Sequence, residues 1–196
     1  MTAKLPRILL LGDSIRIAYA PLVREKFQGK AEILDISENC EDSHKYLKRL
    51  QKWLKKADAA HLDIIHFNCG LHDIKRKFNS IKNQQSIEKY QQNLNEIIAQ
   101  LRKNSPAKLI WATTTPVIYE LHHKNKGFDR FEADVGRYNK VATLIMEGHQ
   151  IPINDLNQVI EKNSPETCIR EDGVHMTEKG NNLLADAVSA FLNQML

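Results

Sequence analysis

Short apolar runs alternate with segments of helical period along nearly the whole chain, and this alternation limits the folds open to it. Arg7–Leu11 (RILLL), Ala31–Ile36 (AEILDI), Asp63–Asn68 (DIIHFN), Lys108–Thr113 (KLIWAT) and Ile151–Asn154 (IPIN) are too short for helices. They read as strands buried on both faces of a parallel sheet. Between them, Ile15–Phe27 is helix-like, and Ser86–Leu101 places Ile87, Tyr90, Leu94, Ile97, Ile98 and Leu101 on one helical face. Phe131, Val135, Tyr138, Ala142 and Ile145 repeat that period, as do Leu183, Leu184, Ala187, Val188, Phe191 and Leu192. Ser43 and Thr177 stand where N-caps are wanted, and Gly180 costs the last helix some propensity. The β-α alternation predicts a three-layer α/β/α fold with a five-stranded, doubly wound parallel sheet and right-handed crossovers.

The chain has 196 residues and no internal repeat or Pro/Gly/Ser-rich linker, so one domain over 1–196 is expected. Ile8-Leu9-Leu10-Leu11 is the longest apolar run near the N-terminus, too short for a membrane span or signal-peptide core. Cys40, Cys69 and Cys168 are an odd number without a Cys-x-x-Cys pair, which favours a reducing, cytoplasmic setting over a disulfide framework or a zinc site. A net charge of +4 mildly favours anionic partners without indicating nucleic acid. Lys45, Lys48, Arg49, Lys52, Lys55 and Lys56 form a basic stripe on one helix; with no nucleic-acid motif beside it, it reads as a solvated face.

The longest non-periodic stretches, Cys69–Gln85 and Thr114–Arg130, follow strands and so lie at the carboxyl edge of the sheet, where open α/β proteins place ligands. Gly12-Asp13-Ser14 also follows a strand and opens a helix. Unpaired N–H groups and the helix dipole favour negative charge developing there, which suits a nucleophilic Ser14; an isolated Asp-Ser more often merely caps the helix. Spaced glycines and a lysine are absent, so this is not a phosphate loop.

Near the other end stands Asp172-Gly173-Val174-His175. A hydroxyl is a weak nucleophile until a base within hydrogen-bond reach takes its proton. Asp and His three residues apart on one turn can meet, the carboxylate fixing the imidazole tautomer. Alone, Asp-x-x-His suits a surface turn; paired with a strand-end serine it makes a case for a triad.

In these residues the chain resembles the GDSL or SGNH hydrolases. Gly12-Asp13-Ser14 resembles their nucleophile block, Gly70-Leu71-His72-Asp73 their Gly-x-Asn-Asp block, and Asp172–His175 their Asp-x-x-His block. Thr115-Pro116 and Tyr138-Asn139 resemble further family features, and the similarity spans roughly Arg7 to Leu192. The resemblance implies a flavodoxin-like strand order 2-1-3-4-5 and serine-dependent hydrolysis of carboxylic esters, often of acetyl or other short acyl groups, without metal or organic cofactor. It makes Ser14, Asp172 and His175 the catalytic candidates. Asp13, Asn39, Gly70 and His72 are candidates for the oxyanion and substrate-binding set.

Two departures stand out. His72 occupies the place of the family's oxyanion asparagine; neutral imidazole can still donate one N–H, provided a neighbour holds its orientation and protonation state. The family's second-block glycine is missing, since no glycine lies between Gly29 and Gly70. A backbone donor needs no glycine unless φ is positive, so a residue of Asn39–Ser43 can supply that N–H, and the Asn39 amide is a further candidate. Asp73 suits bracing of its loop by accepting N–H bonds as well as it suits catalysis. Asn68 and Cys69 read as packing residues, and His122-His123 as solvated loop residues with some prospect of substrate contact.

The expectation is therefore a carboxylic ester hydrolase acting on a small-molecule or carbohydrate ester through an acyl-enzyme on Ser14, with no nucleic-acid or membrane partner. An acyltransferase or thioesterase using the same triad, or a non-catalytic binding protein, are the alternatives.

Overall fold

A computed structural model describes residues 4–196. Five parallel strands, β1 (Arg7–Leu11), β2 (Glu32–Asp35), β3 (Ile64–Phe67), β4 (Lys108–Ala112) and β5 (Ile153–Asn154), form one sheet in the order 2-1-3-4-5. The register pairs Leu9 with Leu34 on one side and Ile65 on the other, Ile65 with Leu109, and Trp111 with Ile153. Residues Ile8–Leu11 and Ile64–Phe67 are buried throughout, as strands covered on both faces must be.

The helices are α1 (Ser14–Lys26), α2 (Ser43–Lys56), α3 (Ile87–Asn104), α4 (Tyr119–Asn125), α5 (Glu132–Gly148), α6 (Leu156–Glu161), α7 (Pro165–Cys168) and α8 (Glu178–Met195), with a 3-10 turn at Ala59–His61. In one group α8 packs on α1, α6 and α7; in the other α3 packs between α2 and α5. Phe67 and Trp111, on the paired central strands β3 and β4, meet edge to face at 5.1 Å between ring centroids.

Several expectations move at the element ends. β5 keeps only two of the four anticipated residues: the Ile151 N–H returns to the carbonyl of Met146 at the end of α5, and Pro152 has no N–H to give a ladder. Asp42, not Ser43, caps α2, accepting from the N–H groups of His44 and Lys45, which frees the Ser43 hydroxyl. Thr177 caps α8 as expected, accepting from the Gly180 N–H. The stretch Thr114–Arg130 is not structureless; it contains α4. Along α2, Tyr46, Leu50, Trp53 and Leu54 are buried, while Lys45 and Arg49 pair with Glu41 and Lys52 pairs with Glu38. Much of the basic stripe is thus internally compensated. No helix among the described residues is long and apolar enough to cross a membrane.

Candidate active site

Ser14 is the first residue of α1, directly beyond the carboxyl end of β1. Capping is the work of its neighbour: the Asp13 carboxylate accepts from the Ile15 N–H at 2.9 Å and is buried. The Ser14 side chain is thereby spared, and its Oγ stands 3.0 Å from Nε2 of His175. On the other side of the ring, Nδ1 lies 2.5 Å from Oδ2 of Asp172. An ionised carboxylate only accepts, so Asp172 places the proton on Nδ1 and leaves Nε2 as an acceptor facing the serine. Residues 14 and 175, distant in sequence, are joined where the chain after β1 meets the turn before α8.

That turn is shaped by its own carboxylate. Oδ1 of Asp172 accepts the backbone N–H groups of Val174 at 3.1 Å and His175 at 2.9 Å, while Lys126 contacts Oδ2 at 3.1 Å. Burial works to raise the Asp172 pKa, but the imidazole, the two N–H groups and the ammonium outweigh it and hold the carboxyl well below its ordinary value. Gly173 completes the turn at φ +72°, where a Cβ would come within 2.5 Å of the His122 nitrogen and the Ile118 carbonyl oxygen of α4's first turn. Only glycine suits both the left-handed backbone and the close approach.

A cavity of about 290 Å³ opens beside the serine, lined by Ser14, Asn39, Leu71, His72, Lys75, Lys126, Phe128, Arg130, Val174 and His175. Asn39 and His72, from separate loops, both reach it. Asp13 and Gly70 do not: Asp13 is the α1 cap, and Gly70 sits behind the wall at φ +148°, where a Cβ would meet the Thr114 hydroxyl at 2.4 Å. The backbone of Asn39–Ser43 offers fewer donors than the sequence suggests. The Cys40 N–H bonds to the Gly12 carbonyl, the Glu41 N–H to Oδ1 of Asn39 at 2.8 Å, and the Ser43 N–H to Asp73. With its oxygen so engaged, the Asn39 amide has its NH₂ to offer.

The His72 ring makes no hydrogen bond to the protein among the described residues, so no neighbour fixes its orientation as expected. Burial foremost, opposed by the Asp13 and Glu41 charges and aided by Arg130 and Lys75, holds its pKa below the ordinary value, which favours the neutral imidazole with one N–H to donate. Its loop is braced by Asp73, whose carboxylate accepts the Ser43 N–H at 2.9 Å and the Ser43 hydroxyl at 2.5 Å. Burial pushes the Asp73 pKa up to about 7 despite those bonds. At the neighbouring strand end, Asn139 brackets Thr114, accepting from its N–H at 2.9 Å and donating to its carbonyl at 2.8 Å. Cys69 is buried and its thiol is pushed well above the ordinary value, chiefly by burial, which leaves it an inert packing residue.

Arg130 carried no sequence signal, and His122 stands otherwise than the sequence suggests. His122 is not solvated: it is wholly buried, and its Nε2 accepts from Nη1 of Arg130 at 3.0 Å. His123 is half-exposed and pairs with Asp129 at 2.7 Å. Arg130 is 4% exposed, donates from Nε to the Leu71 carbonyl at 2.6 Å, and is lowered by burial only to about 10, so it stays charged at neutral pH. Arg16 is a second buried arginine. Its guanidinium donates to the carbonyls of Gly12, Ile36 and Glu38 and so fixes the β2–α2 loop that carries Asn39 against α1. A hint existed here, since Arg16 falls in the otherwise apolar stripe of Tyr19, Ala20 and Val23.

A serine at a strand-to-helix junction, faced by an imidazole that a carboxylate orients, is the arrangement by which serine hydrolases activate a hydroxyl, and here it stands on a 2-1-3-4-5 parallel sheet. The chain belongs to the GDSL-like lipase/acylhydrolase family, which it matches over residues 10–183, and it is accordingly a carboxylic ester hydrolase. Solved structures with the same fold include an acetyl xylan esterase, AlAXEase (19% identity, 95% of this chain and 99% of that one, TM-score 0.74). Another is the lipase/acylhydrolase from Enterococcus faecalis (19% identity, 97% and 96% covered, TM-score 0.76). A third is a mutant acetyl esterase with an acetate ion (16% identity, 97% and 98% covered, TM-score 0.71). No curated protein matches the sequence significantly.

Proposed function

We propose that the chain, acting as one domain, hydrolyses short acyl esters, of the acetyl type, through an acyl-enzyme on Ser14. The observation that carries this reading is the chain of contacts Asp172–His175–Ser14 at 2.5 and 3.0 Å, opening on a cavity. In the proposed reaction His175 Nε2 takes the Ser14 proton as Oγ attacks the ester carbonyl, giving a tetrahedral oxyanion. The Ser14 N–H at the start of α1, the neutral His72 imidazole and the Asn39 NH₂ are the donors proposed for that charge. Collapse expels the alcohol, which receives the proton from His175. Water, deprotonated by the same nitrogen, then attacks the acyl-enzyme and releases the acid and free Ser14. Esters of small molecules or carbohydrates fit a cavity of about 290 Å³. Three unpaired, buried cysteines favour a reducing compartment such as the cytoplasm.

Hydrolysis of p-nitrophenyl acetate, butyrate and octanoate, followed from pH 5 to 9, tests this. Turnover that falls with chain length and vanishes in Ser14→Ala is expected; full activity in that variant overturns the mechanism.

A further inference from the structure

The cavity beside Ser14 is walled by three cations, of which Arg130 and Lys75 make no direct ion pair among the described residues; carboxylates such as Asp13 and Asp172 act on Arg130 only from a distance. Arg130 is 4% exposed, yet among the described residues no carboxylate reaches salt-bridge distance of it. Its Nε and Nη1 are engaged by the Leu71 carbonyl and the His122 imidazole, both uncharged, while Nη2 has no protein partner among the described residues. That nitrogen is not among the buried polar atoms sealed without a partner, and the residue lines the cavity, so its open side is the cavity side. Lys75 lines the same wall and among the described residues has no ion pair or side-chain acceptor. Its Nζ lies 4.0 Å from the Phe128 ring centroid, and the Arg130 guanidinium lies 5.0 Å from the same ring.

Both cations thus lie against the Phe128 ring, and burial, then Arg130, lowers the Lys75 pKa. The remaining cation on the wall, Lys126, is bound to Asp172, and Asp172 is also held by His175 and two N–H groups. A buried guanidinium whose nearest carboxylates, Asp13 and Asp172, stay beyond ion-pair distance is only partly compensated and therefore costly. A fold that keeps one, with a lysine beside it, at the mouth of a nucleophilic serine has built a receptor for an anion. Carbonyl and imidazole anchors also fix the guanidinium plane, so little side-chain freedom is lost when an anion docks.

From this geometry, and resting on Ser14 being the nucleophile, we infer that the natural ester carries an anionic group, a carboxylate or a phosphate, which Arg130 and Lys75 bind in the same cavity as the scissile carbonyl. A charge-assisted bond to a partly desolvated guanidinium corresponds to about 10- to 100-fold in kcat/KM.

Matched ester pairs that differ in one charge test the inference. p-Nitrophenyl hemisuccinate against p-nitrophenyl valerate places a carboxylate on the acyl side. 4-Acetoxybenzoate against its methyl ester places it on the alcohol side, and O-acetylglycerol 3-phosphate against acetylglycerol supplies a phosphate there. Each ratio of kcat/KM is normalised to hydroxide hydrolysis and measured for wild type, Lys75→Gln, Arg130→Gln and Arg130→Lys. At least one pair is expected to favour the anion by about 10-fold or more. That ratio should fall about 10-fold in Lys75→Gln and in Arg130→Gln, recover in part in Arg130→Lys, and decline as salt is raised. The pair that shows the preference identifies the anion and its side. No preference in any pair, or a preference that survives in both Gln variants, overturns the inference.

Calorimetric titration of folded Ser14→Ala with succinate and with inorganic phosphate separates this from failure of the nucleophile assignment. Saturable binding that Lys75→Gln weakens supports the anion site even if no ester is turned over. Absence of binding by either anion, with no turnover of charged esters, refutes it.

Discussion

Replacing Asp73 by Asn should reverse its effect on stability as the pH is raised. Asp73 is fully buried, and among the described residues its carboxylate is held by Ser43 alone, whose N–H and hydroxyl it accepts while the Ser43 hydroxyl in turn accepts from Asn93. Burial, reinforced by the nearby Asp42 charge and opposed by the Ser43 bonds, raises its pKa from 3.8 to about 7. A folded value above the unfolded one means that the native state binds the proton more tightly. The group's contribution is therefore full below about pH 4 and is lost as the pH climbs through 7. The interval from 3.8 to about 7 corresponds to about 4 kcal/mol. Asparagine keeps the shape and one acceptor but does not titrate. Below pH 4.5 it should cost about 1 kcal/mol for the poorer match to Ser43. By pH 8 the variant should be the more stable by about 3 kcal/mol, because only the wild type then buries a charge. Urea unfolding of both proteins at pH 4.5, 6, 7 and 8 reads the difference directly. A gap that stays constant across that range, or that widens in favour of the wild type at high pH, would mean that the Ser43 bonds and not burial govern Asp73.

Three other substitutions probe the site. Lys126→Gln removes the ammonium from Asp172, leaving it the His175 imidazole and the two N–H groups of its turn; the acid limb of the pH–rate profile should move to higher pH by about half a unit, and an unmoved limb means the pair is inert. Gly173→Ala forces a Cβ into the α4 backbone at a left-handed φ and should cost about 3 kcal/mol in denaturant unfolding, with activity lost; a stable, active variant contradicts the turn geometry. His72→Ala should lower kcat by about 10²-fold with KM little changed, the pattern of a lost oxyanion donor, whereas an effect on KM alone assigns His72 to substrate binding. Measuring His72→Asn beside it shows whether the site is built around imidazole or merely tolerates it.

The sheet was legible because burial on both faces leaves an unmistakable apolar run; Arg7–Leu11 appears in the structure at its expected bounds. The ends were less so. At α2, two adjacent cap-competent residues, Asp42 and Ser43, divide the tasks of capping and of holding Asp73, a choice set by a loop from elsewhere in the chain. Ser14, Asp172 and His175 stood out because few residue types can activate a hydroxyl and because an Asp and a His three residues apart can meet on one turn. Lys75, Phe128 and Arg130 were silent: they lie in loops without periodicity, and only the packing of Arg130 against Leu71 and His122 turns an ordinary surface residue type into a cavity wall. His122 reads as polar and exposed for the same reason, since α4 has no apolar stripe to announce that one of its faces is covered.

The central claim is that Ser14 Oγ becomes acylated. Acid quenching of the protein within milliseconds of mixing with p-nitrophenyl acetate, followed by peptide mass spectrometry, tests it most directly. A single added acetyl group on the peptide holding Ser14, accumulating in His175→Ala less than in wild type and absent in Ser14→Ala, is the predicted result. Turnover with that peptide unmodified, or acetyl carried instead on His72, Lys75 or Lys126, would contradict it.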